Sequence, residues 1–127
     1  MMWSFPPLEG IAMAPPRRVL IVEDEMLVAM MIEDALVDLG MEVAGTAGTI
    51  EDALAAAAKE GFDCAILDVH LHGKEVYPVA DALAARGLPF IFATGYGQGG
   101  LAAKYRGRPS LPKPFTGQDL ERVLAEI

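Results

Sequence analysis

From Arg17 onward the chain alternates short apolar runs with longer stretches in which apolar residues return every third or fourth position. "RVLIV" (18–22), "MEVAGTA" (41–47), "FDCAILD" (62–68), "LPFIFAT" (88–94) and "PSLP" (109–112) read as five strands. The β-branched, nearly uninterrupted ones suit a sheet covered on both faces. Between the first two lies "MLVAMMIEDALVDLG", where Leu27, Val28, Met31, Ile32, Ala35, Leu36 and Leu39 form one wide helical stripe expected to face the core. Glu33, Asp34 and Asp38 lie off that stripe, and Gly40 is a natural stop. Thr49 opens an alanine-rich helix with Asp52 three residues on, a start resembling a capping box, and the helix is expected to end near Gly61. "VYPVADALAARG" predicts a third helix with Pro78 in its first turn and Gly87 at its end. "TGQDLERVLAEI" predicts the last, capped by Thr116 and Asp119, with Leu120, Val123, Leu124 and Ile127 as its buried face.

Strands alternating with amphipathic helices predict an α/β fold, a parallel sheet with helices on both faces. Each strand is followed by a helix except the fourth, which runs into "GYGQGG". Each glycine there costs near 1 kcal/mol of helix stability against alanine. Residues 1–16 hold four of the nine prolines and no Lys or Arg, so they lack the basic start of a signal peptide. They read as a flexible N-terminal extension ahead of one domain over 17–127, with a docking peptide built on Trp3 and Phe5 as the alternative.

Charge and cysteine content narrow the functional classes. Ten Lys and Arg face 18 Asp and Glu, a net charge of −8. Such a surface disfavours nucleic acid and anionic membranes, both of which need a basic patch. Cys64 is the only cysteine, so no internal disulfide forms, and the expected compartment is the reducing cytoplasm. No apolar run is long enough for a membrane-spanning helix.

In open parallel sheets ligands bind at the carboxyl ends of the strands. Read in order, those ends carry Glu23, Asp24 and Glu25 on the first strand, Asp68 on the third, Thr94 on the fourth and Lys113 just past the fifth. Carboxylates converging on one crevice call for a cation, and an all-oxygen set suits Mg²⁺. With a hydroxyl and an ammonium beside them the set describes phosphoryl transfer to a carboxylate, Asp68, with Thr94 and Lys113 contacting the phosphoryl oxygens. Gly95, Gly97 and Gly100 match the G-x-G-x-x-G spacing, but the dinucleotide reading fails on position. The acidic residues about twenty positions on, Asp119 and Glu121, fall inside the last helix rather than at a strand end. A transition-metal pair made of His70 and His72 has no specific spacing to support it.

"VLIVEDE", "AILDVHL", "FIFATGY" and "LPKPF" resemble, in order and spacing, the signature segments of the receiver domain of two-component response regulators, over residues 17–127. "FATGY" and "VYPVADAL" place the resemblance in the branch marked by a Phe-Ala-Thr-Gly-Tyr motif. The resemblance implies a flavodoxin-like doubly wound sheet of strand order 2-1-3-4-5. It implies that Asp68 takes phosphate from a histidine kinase's phosphohistidine, and that Glu23, Asp24, Asp68 and the His70 backbone carbonyl hold Mg²⁺. It further implies a cis Lys113–Pro114 bond, and a domain that assists its own phosphorylation and dephosphorylation without being an enzyme otherwise. On the same resemblance, His70 and Tyr96 occupy positions expected to tune phosphate lifetime. Gly95, Tyr96, Gly97, Gly99, Gly100, Tyr105 and Ser110 form the expected switch loop, with residues 96–108 mobile until Thr94 engages phosphate. Two departures stand out. Ser110 replaces the aromatic residue that many receivers place there, leaving Tyr96 or Tyr105 to stand in, and "VHLHGKE" lacks the usual proline.

The implied partners are a sensor histidine kinase or phosphotransfer protein, docking on the first and last helices, and an unidentified downstream protein. With the last helix ending at Ile127, the expectation is a single-domain regulator acting by phosphorylation-dependent binding, by phosphorelay or as a phosphate sink. The alternatives are a small aspartyl-phosphate phosphatase, in which His70 would stand where such enzymes carry a second Asp, and a pseudo-receiver that needs no phosphate.

Overall fold

The computed structural model describes residues 15–95 and 98–127. Its elements are β1 (Arg18–Val22), α1 (Met26–Asp38), β2 (Glu42–Ala47), α2 (Ile50–Ala57), β3 (Cys64–Asp68), β4 (His70–Leu71), β5 (Lys74–Glu75), α3 (Tyr77–Ala85), β6 (Phe90–Thr94), β7 (Ser110–Pro112) and α4 (Gly117–Leu124). β2, β1, β3, β6 and β7 form one parallel sheet in that order, which is 2-1-3-4-5 when only its members are counted. The alternation of elements predicts the parallel sheet with helices on both faces, and the strand order is the doubly wound one that the receiver resemblance implies. Because successive strand residues point to opposite faces, the sheet has two cores. Leu20, Leu67, Phe90 and Phe92 pack with Ala53, Val79 and Leu83 under α2 and α3. Ile21, Ile66, Ile91 and Leu111 pack with Ile32, Leu36, Leu120 and Leu124 under α1 and α4.

The stretch between β3 and α3 holds an antiparallel hairpin that the sequence reading did not contain: β4 pairs with β5, His70 opposite Glu75 and Leu71 opposite Lys74. His72 and Gly73 turn it, both with positive φ (49° and 78°), the geometry that two-residue hairpin loops favour. After β6, residues 98–100 and 103–105 form two short 3₁₀ turns in place of a helix.

The stripe expected to bury α1 is only half covered. Ala29, Ile32 and Leu36 are buried and Val28, Ala35 and Leu39 pack beside them, but Leu27 is 75% exposed and Met31 64%. The sheet covers one side of the helix, and among the described residues no second layer lies over the flank that carries Leu27 and Met31. The alanine-rich helix also ends earlier than Gly61. Its last turn closes at Ala57, where the Arg86 guanidinium donates to the carbonyls of Ala57 and Lys59 (2.9 Å to the latter). Arg17 does the same for the last helix, donating to Leu124 (3.0 Å) and Ile127 (3.2 Å). Each arginine satisfies carbonyls that a helix end leaves unpaired.

α4 starts with a full capping box. The Thr116 hydroxyl accepts from the Asp119 amide (3.1 Å), and the Asp119 carboxylate accepts from the Thr116 amide (2.9 Å). Thr116→Ala removes half of this exchange and is expected to lower unfolding free energy by about 1 kcal/mol in urea titration. An unchanged midpoint would mean that packing of Leu120, Val123 and Leu124 alone sets the helix start.

Candidate functional site

The parallel topology sets the carboxyl ends of β1 and β3 side by side, since Val22 is registered against Leu67. Glu23 and Asp24 follow β1 directly, and Asp68 ends β3. Oxygen atoms of Glu23, Asp24 and Asp68 lie within 4.8 Å of one another, close enough to hold a single metal ion. An all-oxygen set of this kind suits a hard divalent cation. Lys113 reaches in from beyond β7. Its Nζ lies 2.9 Å from Glu23 Oε1 and 3.3 Å from Asp68 Oδ2. Its backbone N–H donates to the Thr94 carbonyl (2.9 Å), fixing it to the end of β6, and the bond from Lys113 to Pro114 is cis.

Thr94 closes β6 at 2% exposure, and Gly95 follows it in the open. Glu23 is 3% exposed, which is unusual for a carboxylate. Burial pushes Glu23 up to about 7. The Lys113 ammonium and the Glu25 amide (3.2 Å) oppose that rise, and the neighbouring Asp68 adds to it. For Lys113, burial alone would lower the ammonium's value, but the Glu23 hydrogen bond and the Asp68 charge outweigh burial and raise it. Asp24 is held below the usual carboxylate range. Burial works against this, and the His72 amide, donating to Asp24 Oδ2 at 2.9 Å, is the chief cause of the drop.

His70 sits in β4 with an exposed side chain, and its amide lies 3.4 Å from Asp68 Oδ1. His72 is a site neighbour that the sequence reading did not identify. Besides its amide bond, its Nδ1 lies 3.8 Å from Asp24 Oδ2. The "HG" pair, with a glycine at the second turn position, was the signal for that turn. Tyr96 and Gly97 lie outside the described residues, as do Trp3 and Phe5. Gly99 and Gly100 belong to the first 3₁₀ turn, and Ser110 opens β7 opposite Phe92. Tyr105 is buried, its hydroxyl 2.5 Å from Asp81. A larger groove of about 580 Å³ runs between β2 and α2, past Thr46, Ala56 and Phe62, and the carboxylate cluster is not part of its lining.

Glu23 titrates near 4.5 in an unfolded chain and near 7 here, so the native state keeps a proton that the unfolded state has already released. Stability tied to this group is full below the lower value and is lost as pH rises through the upper one. In buffer free of divalent cations, the urea midpoint is expected to fall as pH rises from about 5 to about 7.5, and Glu23→Gln is expected to flatten that slope. An equal slope in wild type and variant would show that Glu23 is not the titrating group.

Residues 19–125 match the family of the response regulator receiver domain. The chain is 33% identical over 111 residues to the transcriptional regulatory protein PdtaR of Mycobacterium tuberculosis, an alignment covering 84% of this chain and 54% of that protein. It thus spans about half the length of the curated relatives it matches. Among solved structures, SdrG of Sphingomonas melonis Fr1 superposes with a TM-score of 0.80 at 47% identity, covering 89% of this chain and 97% of that one. SdrG in its BeF3-activated conformation gives a TM-score of 0.76 at 48% identity over the same shares. The response regulator PhyR of Brucella abortus gives 0.75 at 31% identity, over 87% of this chain and 47% of that one.

Proposed function

Because the chain belongs to the response regulator receiver domain family, we propose that it is a signalling domain phosphorylated on Asp68 by a histidine kinase or phosphotransfer protein, with Mg²⁺ as cofactor. The observation that carries this reading is the Lys113 ammonium lying between Glu23 and Asp68 above a cluster of three carboxylates. Glu23, Asp24 and Asp68, joined by the His70 carbonyl, would hold the ion. When bound, Mg²⁺ supplies the positive charge that offsets three carboxylates and the incoming phosphoryl group.

In the transfer, an Asp68 carboxylate oxygen attacks the phosphorus of a phosphohistidine. The new P–O bond forms as the P–N bond breaks, and the departing imidazole leaves with the electron pair of that bond. A carboxylate nucleophile such as Asp68 needs no general base. Lys113 turns from Glu23 toward a phosphoryl oxygen, and the Thr94 hydroxyl donates to another. Loss of the phosphoryl group is attack by water on phosphorus with Asp68 as leaving group. His70, exposed next to Asp68, tunes that step. This reading places the domain in the cytoplasm. Among the described residues, no helix is long and apolar enough to cross a membrane.

The uncovered side of α1 supports a protein donor. Met26, Leu27, Met30 and Met31 are 50–76% exposed on this one helix. Beside them a cleft of about 280 Å³ is lined by Val28, Met31, Lys113, Pro114 and Phe115, so the apolar patch borders the site itself. Apolar surface concentrated in this way marks an interaction face. A helix from the donor seated there would bring its phosphohistidine to Asp68.

Incubation with acetyl phosphate and Mg²⁺ is expected to add one phosphoryl group by intact mass, and none in EDTA or in Asp68→Asn. If no adduct is seen, beryllofluoride titration followed by NMR decides between fast hydrolysis and an inert site. Leu27→Glu and Met31→Glu are expected to slow transfer from a phosphorylated kinase by about tenfold while labelling by acetyl phosphate stays within about twofold. Equal loss with both donors would relocate the docking face.

A further inference from the structure

The segment that replaces a helix after β6 is held from outside itself. Tyr77, the first residue of α3, accepts at its hydroxyl from the Ala102 amide (2.8 Å) and donates to the Gly100 carbonyl (3.3 Å). It thereby bridges the gap between the two 3₁₀ turns. One helical turn further, Asp81 accepts from the Tyr105 hydroxyl (2.5 Å) and pairs with Lys104 (2.8 Å). Spacing of four residues puts Tyr77 and Asp81 on one helix face. The Tyr77 ring also stacks on Tyr105 (centroids 5.8 Å, planes at 12°) and meets the edge of Phe92 (6.0 Å, 65°).

Tyr77 is also linked, through the residue before it, to the chain next to the phosphoacceptor. The Val76 amide donates to the Val69 carbonyl at 2.8 Å, and Val69 follows Asp68 directly. Both valines are essentially fully buried. Two routes therefore join the strand ends to residues 98–105. One is the chain itself, in which two of the three residues between Thr94 and Gln98 are glycine and two more lie in the first turn. Glycine has the freest backbone of any residue, and without a side chain it passes little force to its neighbours. The other route runs from Asp68 through Val69 and Val76 to a ring held by packing on two sides and by two hydrogen bonds.

We propose that Tyr77 is a positioning residue that straps residues 98–105 to the first turn of α3, so that occupancy of Asp68 reaches this segment through α3 rather than only along the glycine-rich chain. The transmission half rests on the phosphoryl reading above; the strap itself does not. Asp81 secures the far end of the same segment, and Tyr105 serves it as an anchor in the aromatic core. The strap gives this chain a rigid link from the phosphorylation site to the surface at 98–105, although Ser110 offers no aromatic ring for a relay.

Tyr77→Phe keeps the ring and removes the hydroxyl. In the unliganded protein, amide exchange at Leu101, Ala102 and Tyr105 is expected to become about five- to tenfold faster, with exchange in β1 and β3 unchanged. Unchanged exchange at those three amides would overturn the strap. In the second measurement, beryllofluoride and Mg²⁺ are added and amide shifts are followed by NMR in wild type and variant. Tyr77→Phe is expected to respond at residues 68–70 with an affinity within about twofold of wild type, and to lose most of the response at 98–105. A full response at 98–105 in the variant would overturn transmission through Tyr77. A wild-type protein that shows no response near Asp68 would remove the phosphoryl reading and the transmission claim together, leaving the exchange result to judge the strap alone.

Discussion

Like charges gathered in a partly buried crevice repel, and Glu23, Asp24 and Asp68 lie within 4.8 Å of one another with one ammonium, Lys113, to offset them. At that distance each ionised pair opposes the others by the order of a few kcal/mol in a protein's effective dielectric. The molecule answers in three ways. Burial leaves Glu23 holding its proton toward neutral pH, the His72 amide supports the charge on Asp24, and Lys113 is positioned by the Thr94 carbonyl to reach two carboxylates at once. Each answer depends on a different strand or hairpin, so the arrangement exists only when the whole sheet edge is assembled.

The sheet's two faces are put to different uses. One is closed by α2, α3 and an aromatic group of Tyr77, Phe90, Phe92 and Tyr105, whose rings meet edge-on or stacked at 5.3–6.0 Å. Such contacts are directional as well as apolar, which suits a segment that has no helix of its own to hold it. The other face is closed by α1 and α4, and there the outer flank of α1 is left uncovered beside Lys113 and Phe115. A closed, strapped face and an open, apolar one thus stand on either side of the same carboxylate cluster. On the proposed function, the open face receives the donor and the strapped face carries the consequence.

Much of this was legible in the residues. The five strands and four helices follow from period-two and period-3.6 patterning, and their boundaries shift by a few residues where tertiary contacts intervene. α2 stops at Ala57, and Arg86, far along the chain, takes the carbonyls left open there. That two short 3₁₀ turns, and no α-helix among the described residues, lie between β6 and β7 accords with the glycines of 95–100. The turn chemistry of His72 and Gly73 was present too, but two-residue strands fall below the length at which alternation is a signal.

Sequence alone determined the layered parallel sheet and which chemical groups stand at its strand ends. Both follow from local periodicity and from the topological rule that parallel strands bring their carboxyl ends to one edge. Tertiary structure alone decided which flank of α1 is covered, which amide supports Asp24, and that Tyr77 and Asp81 hold residues 100–105. Those outcomes depend on distances between residues tens of positions apart. A helical stripe shows that a face is apolar, but whether a second layer lies over it is settled by the packing of the whole domain. A tyrosine at the start of a helix shows a donor and an acceptor, and only the folded chain supplies its partners.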